Sequence, residues 1–333
     1  MDLPEIHAPL DARPEPISPG SSLRWPHSSL SALAIGFAIM LSLACMSVPR
    51  STLNVNDQER SFYVRLPENY SRANASSQRY PLIIQLHGGG GNAESAETMS
   101  QMTEQARERG FIVAYPDGFA NPLIPRFKTW NANHCCGQAM RTNSDDVAFL
   151  SGLLDYLLEN YPIDPNRVYL CGMSNGGMMT YRAALNLGPR LAGIGIVAGA
   201  MFGDESPPDI SMPAIIIHGE KDEAVPFRGG SSNKDVVRDN MEGTFASVEY
   251  AARFWAQNNG CKSAPNMERS GPDRSIERWS FDCPAGSPVE VYALKEGKHA
   301  WPGGLKGRRA GDEPVDYLDA SKELLDFFEN VRR

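Results

Sequence analysis

The chain has 333 residues, 41% hydrophobic and 22% charged, with 32 basic and 40 acidic side chains and a formal net charge of −8. This composition excludes a chain disordered throughout, and the negative balance argues against a nucleic-acid partner, which a basic surface would have to hold. Six cysteines are too few for a disulfide-built miniprotein but enough for local bridges. Residues 1–28 carry six prolines and four acids with no helical or strand period, and read as disordered or non-native. Residues 30–44 (LSALAIGFAIMLSLA) then run without a charge. That length is short for a membrane span and suits the apolar region of a signal peptide. Ser42 and Ala44 predict cleavage before Cys45 and hence export, leaving a mature charge of −6 once the two bases and four acids of residues 1–44 are removed. Cys45 would then be the first mature residue, which makes a lipid anchor an alternative; Ser42 stands where lipoprotein signals usually carry leucine. An uncleaved anchor, or a start placed too far upstream, is the remaining alternative.

Beyond Cys45 the sequence predicts one α/β domain over residues 50–333. Residues 51–55 and 61–66 flank Asn56-Asp57 as an opening hairpin. The continuous apolar run 81–86 (PLIIQL) predicts a strand buried on both faces. A helix over 94–109 ends at Gly110, and a second buried strand covers 111–115. Ser144 is placed to cap a helix over 145–161, with an apolar stripe through Val147, Leu150, Leu154, Leu157 and Leu158. Further strands are predicted over 168–171, 194–198, 213–218 and 289–294, with helices over 175–187, 247–258 and 320–331. Such alternation predicts a mostly parallel sheet covered by helices on both faces.

Gly172-Met173-Ser174-Asn175-Gly176 falls between a predicted strand and a predicted helix. A serine there needs a sharp, strained turn to expose its hydroxyl, and glycines two residues to either side remove the collisions such a turn would cause. The helix that follows points its positive end at the same spot. Ser174 is therefore the candidate nucleophile. An oxyanion hole needs two N–H donors: Asn175, directly after the serine, and one from the loop after an earlier strand. Leu86-His87-Gly88-Gly89-Gly90-Gly91 follows the PLIIQL strand, and Gly89 is the chosen donor. A phosphate loop is the rival reading of this run, but it lacks the lysine and hydroxyl residue that such a loop carries.

The serine, acid, histidine order of the α/β-hydrolase fold selects His299, just past the 289–294 strand, as the base. His7 and His27 lie in the leader, and His87 and His218 end buried strands, where they would organise loops. The acid must fall between Ser174 and His299 at a strand's carboxyl end. Asp222, after Ile215-Ile216-Ile217-His218-Gly219, fits better than Glu220 or Glu223. Asp145 and Asp146 precede the serine and would support the start of their own helix.

Together these segments resemble the α/β-hydrolase esterases grouped with polyhydroxybutyrate depolymerases and feruloyl or acetyl-xylan esterases. The matching pieces are Leu86-His87-Gly88-Gly89, Tyr115-Pro116-Asp117-Gly118, Trp130-Asn131 with Cys135-Cys136, Asp145-Asp146-Val147, residues 172–177, His218-Gly219 with Asp222, and residues 299–304. The resemblance implies an α/β-hydrolase fold, a Ser174–Asp222–His299 triad and oxyanion donors at Gly89 and Asn175. Secreted polymer-degrading relatives often carry a separate binding module. The chain stops at Arg333 soon after the last predicted helix, which argues against direct attack on solid polymer.

The expected activity is a secreted serine carboxylesterase that works through an acyl-enzyme and needs no cofactor or metal. Feruloyl, similar aromatic or acetyl esters of plant polysaccharide lead as substrates, with polyhydroxybutyrate or its oligomers second. A serine peptidase or acyltransferase is more remote, since no propeller-like domain is present to filter peptides. No basic cluster marks a phosphate ester, and no obligate protein partner is evident. His87, Trp130 and Trp301 are candidate substrate contacts, with core or loop packing as the alternative for both tryptophans; Phe227 is a weaker candidate. Cys261 and Cys283 bracket a glycine- and proline-containing segment suited to a disulfide. Cys135 and Cys136 could bond to each other, or one of them to Cys171, which could also be free and buried. A zinc site on His134, Cys135 and Cys136 lacks spaced ligand pairs.

Overall fold

Ser51–Val55 (β1) and Gln58–Arg65 (β2) pair antiparallel across Asn56 and Asp57, both at positive φ (52° and 60°), as a tight two-residue hairpin turn requires. The computed structural model describes residues 50–71, 78–120, 125–262 and 264–333. The signal-peptide and Cys45 expectations therefore lie outside the described residues. Tyr80–Leu86 (β3), fully buried, leads to the helices Ala93–Ser100 (α1) and Met102–Glu108 (α2). The single helix expected over 94–109 is broken at Gln101, whose φ of 54° ends α1 and starts α2. Ile112–Pro116 (β4) is again fully buried; Phe119–Ala120 (β5) and Lys128–Thr129 (β6) form a small ribbon, followed by Gly137–Arg141 (α3).

Asp146–Asn160 (α4) is capped by Asp145, whose carboxylate accepts from Ala148 N at 3.0 Å. Ser144, the expected cap, turns inward instead and meets Arg60 and Asp146. Ile163–Met173 (β7) runs into Asn175–Leu187 (α5), and Gly193–Val197 (β8), Ala214–Gly219 (β9), Asp235–Arg238 (α6) and Val248–Asn258 (α7) follow. Asn266–Ser270 (β10) and Ile276–Ser280 (β11) form a hairpin absent from the sequence reading. Val289–Leu294 (β12) and Ala320–Glu329 (α8) complete the order.

Ten strands make one sheet in the order β1-β2-β4-β3-β7-β8-β9-β12-β11-β10. Its middle, β4-β3-β7-β8-β9-β12, is parallel, and antiparallel pairs close both edges. Alternate residues of each middle strand feed two cores. Leu82, Ile84, Leu170, Ile194 and Ile216 pack under α4, α5 and α7, while Ile83, Tyr169, Cys171, Ile215 and Ile217 pack under α1, α2 and α8. Burial on both faces is what turns these strands into unbroken apolar runs. Parallel strands also bring their carboxyl ends, and the loops that follow them, to one edge of the sheet.

Candidate active site

Ser174 joins β7 to α5 with φ 55° and ψ −123°, a strained left-handed-side conformation held by Ser174 N donating to Val197 O (2.9 Å) and Met178 N donating to Ser174 O (2.9 Å). The flanking glycines are obligatory here. A Cβ on Gly172 would lie 2.5 Å from the Gly176 carbonyl carbon, and one on Gly176 would lie 2.5 Å from His87 O. Backbone meets backbone at both points, so no side chain could yield.

Asp222 and His299 emerge from β9 and β12, which are neighbours in the sheet. Their loops are stitched together: Lys221 N donates to Gly297 O at 2.9 Å, and a Cβ on Gly219 would fall 2.3 Å from Gly297 C. His299 Nδ1–H donates to Asp222 Oδ2 at 2.7 Å, and Ser174 Oγ–H donates to His299 Nε2 at 2.9 Å. The other carboxylate oxygen of Asp222 accepts from Ala224 N and Val225 N, each at 2.8 Å. Burial pushes the Asp222 carboxyl up, but the adjoining His299 and hydrogen bonds from His218 and His299 outweigh it and hold the group well below the usual carboxylate range. Burial opposes a charged His299 ring, and Asp222 outweighs that burial, so the imidazole pKa is raised. The sequence-selected Ser174, Asp222 and His299 thus stand in one hydrogen-bonded line.

Gly88 and Gly89 lie against the serine turn. Cβ atoms built on them would sit 3.5 Å from Ser174 Cβ and 3.5 Å from Asn175 Cβ respectively. The first turn of a helix leaves its N–H groups without intrahelical acceptors, and Asn175 opens α5. Its side chain is clamped: Trp130 N donates to Asn175 Oδ1 at 2.8 Å, and Asn175 Nδ2 donates to Trp130 O at 2.9 Å.

The three expected substrate contacts, His87, Trp130 and Trp301, are each 0% exposed. Trp130 stacks on Phe149 and donates its indole N–H to His87 O at 2.9 Å, tying the glycine loop to the start of α5. His87 accepts from Gly118 N at 2.9 Å and donates Nδ1–H to Gly88 O at 2.8 Å, and burial lowers its pKa to about 4, so the ring is neutral. Trp301 donates to Ser321 Oγ at 3.1 Å and anchors the His299 loop on α8. These aromatic residues hold the site's backbone in place. Phe227, half-buried, packs edge-on to His218 and Trp279 and helps line a cavity of about 480 Å³ that also touches Asp222, Lys298 and Asp312. His218 donates Nε2–H to Val225 O at 2.8 Å, organising the Asp222 loop.

Cys261 and Cys283 are disulfide-bonded. Cys135 and Cys136 bond to each other across a cis peptide, leaving Cys171 as a buried free thiol that burial pushes up; the alternative of a bridge to Cys171 is thereby set aside. Sequence reasoning gave Asp146 only a role at the start of its helix. Rather than merely supporting its helix, it is buried, pairs with Arg60 and accepts from Asn131 N at 2.7 Å, bracing the Trp130 loop. Arg308 was given no role; its guanidinium donates to Gly89 O.

A family model described as phospholipase/carboxylesterase matches residues 71–258, more than half of the chain. The chain belongs to that family of α/β-hydrolases. Feruloyl esterase B of Piromyces equi is 28% identical over 253 residues, covering 74% of this chain but only 44% of that enzyme. Feruloyl esterase C of Emericella nidulans is 23% identical over 84% of this chain and 92% of its own length. Among solved structures, an acetyl xylan esterase from Aspergillus awamori superposes with a TM-score of 0.56 at 15% identity, covering 85% of this chain and all of that one, and shares the fold. The resemblance to feruloyl esterase-like α/β-hydrolases is thus borne out, as is the parallel-sheet fold class.

Proposed function

We propose that this family member is an exported serine carboxylesterase whose nucleophile is Ser174. The observation that carries the reading is the unbroken chain from Ser174 Oγ through His299 to Asp222, at 2.9 and 2.7 Å. His299 Nε2 takes the hydroxyl proton as Ser174 Oγ attacks the ester carbonyl carbon. Asp222 holds the ring in the tautomer with its proton on Nδ1 and stabilises the imidazolium that forms. The oxyanion receives N–H donors from Asn175 and Gly89, at the positive end of α5. His299 returns its proton to the departing alcohol oxygen. Water then attacks the acyl-enzyme with His299 again as base, and Ser174 is regenerated. No step calls for a cofactor.

Feruloyl, related aromatic or acetyl esters of plant polysaccharide are the proposed substrates, in keeping with the names of the feruloyl esterases to which the chain is similar. Export is supported by the apolar segment before Cys45 and by the Cys261–Cys283 disulfide, which belongs in an oxidising compartment. No helix among the described residues is long and apolar enough to cross a membrane. The test is Ser174→Ala, expected to cut p-nitrophenyl acetate hydrolysis by about 10⁵-fold with the circular dichroism unchanged. Hydrolysis at the wild-type rate would sink the assignment. Ranking kcat/KM for methyl ferulate, acetylated xylan and hydroxybutyrate oligomers tests the substrate, and a clear preference for the oligomers overturns the ranking.

A further inference from the structure

Residues 305–313 form a charged loop over the glycine-rich oxyanion segment. Leu305 N donates to Met99 O at 2.8 Å, Lys306 pairs with Glu313 at 2.5 Å, and Gly311 N donates to Arg308 O at 2.9 Å. From this loop the Arg308 guanidinium reaches Gly89 O, on the residue whose N–H is the proposed oxyanion donor. A Cβ on Gly90 would lie 2.8 Å from Arg308 Nη2 and 3.4 Å from Phe127 Cδ1, so cation and ring meet over the same residue. Phe127, which meets Gly90, is 60% exposed. The positive charge of Arg308 also acts on His299, opposing Asp312. A guanidinium carries five N–H donors in a planar fork, and the Gly89 contact engages only one end of it.

We propose that Arg308 is a specificity-determining residue that receives a carboxylate carried by the alcohol half of the ester, with Phe127 as the apolar wall beside it. The inference rests on the esterase reading above. Acetyl and feruloyl groups hold no carboxylate, so a carboxylate in such a substrate belongs to the alcohol. A single fork matches the geometry of a carboxylate. Two alcohols share the required chemistry: a uronic acid residue of a polysaccharide, and the free end of a hydroxyacid oligomer.

The experiment compares kcat/KM within two matched pairs, acetylated galacturonic acid against acetylated galactose, and 3-acetoxybutyrate against its amide. Wild type is expected to favour the carboxylate-bearing member of at least one pair by tenfold or more, and the responding pair identifies the source. In Arg308→Gln that ratio should fall by about ten- to a hundredfold, chiefly through KM, as expected for loss of a charge-assisted hydrogen bond. Arg308→Lys, which keeps the charge without the fork, should retain part of the ratio, and 0.5 M salt should depress it in wild type. A ratio unmoved by Arg308→Gln in both pairs overturns this inference alone. Wild type that hydrolyses p-nitrophenyl acetate but none of the four esters overturns this inference alone, and wild type inactive on p-nitrophenyl acetate as well overturns it together with the esterase reading.

Discussion

The serine turn and the loop at residues 305–313 lie close to the same site and are built on opposite terms. Around Ser174 the backbone is packed against backbone: Gly172 against Gly176, and Gly176 against His87 O. Around Arg308 lie long charged side chains, the exposed ring of Phe127 and an ion pair between Lys306 and Glu313 at the surface. The first arrangement leaves one residue type admissible at each glycine. The second tolerates many sequences and places its charge by reach. The division suits an esterase whose reaction is fixed while its ester varies.

The most severe way to probe the rigid half is Asp222→Asn. With the carboxylate gone, His299 loses both its orienting acceptor and the charge that stabilises its imidazolium, and kcat should fall by about 10³- to 10⁴-fold. The same variant tests the raised His299 pKa. Activity requires a neutral imidazole, so it is lost as pH falls through the His299 pKa. In wild type that acid limb should lie above the ordinary imidazole value of about 6.5. In Asp222→Asn the residual activity should persist to lower pH, and a limb that moves upward instead would contradict the pairing. Next in size, Gly176→Ala forces a methyl to 2.5 Å from His87 O; the expected loss is about 3 kcal/mol in denaturant unfolding. Smallest is Lys306→Ala, which breaks the surface pair with Glu313 and should change unfolding by less than about 0.5 kcal/mol. A Lys306→Ala loss as large as that of Gly176→Ala would erase the distinction between the two regions.

That distinction also governs what the amino-acid sequence made legible. Strands buried on both faces, such as Tyr80–Leu86 and Ala214–Gly219, announce themselves as apolar runs, and the serine turn announces itself through its two glycines. The β10–β11 hairpin did not. NMERS is exposed along its whole length and IERWS is only half-buried, so neither carries the alternation that marks a strand with one face in the core. Sequence reasoning placed Trp130 and Trp301 near the site and left two roles open for each, substrate contact or packing. A tryptophan beside a catalytic motif can wall a pocket or anchor a loop, and only the partners of its indole N–H, here His87 O and Ser321 Oγ, separate the two. Arg308 lay beyond sequence reasoning because its contact with Gly89 spans 219 residues and follows from no local pattern.

Asp222 and His299 rise from adjacent strands whose loops are sutured through Gly219 and Gly297, whereas Ser174 rises from β7, with β8 between it and β9. Acid and base are thus tied to each other through adjacent strand ends, while the serine reaches them across β8. The Ser174–His299 distance therefore depends on how β8 is held, and the His299–Asp222 distance on the contact between Gly219 and Gly297. Substitutions that loosen β8 should consequently slow the attack by Ser174 well before they disturb the ionisation of His299.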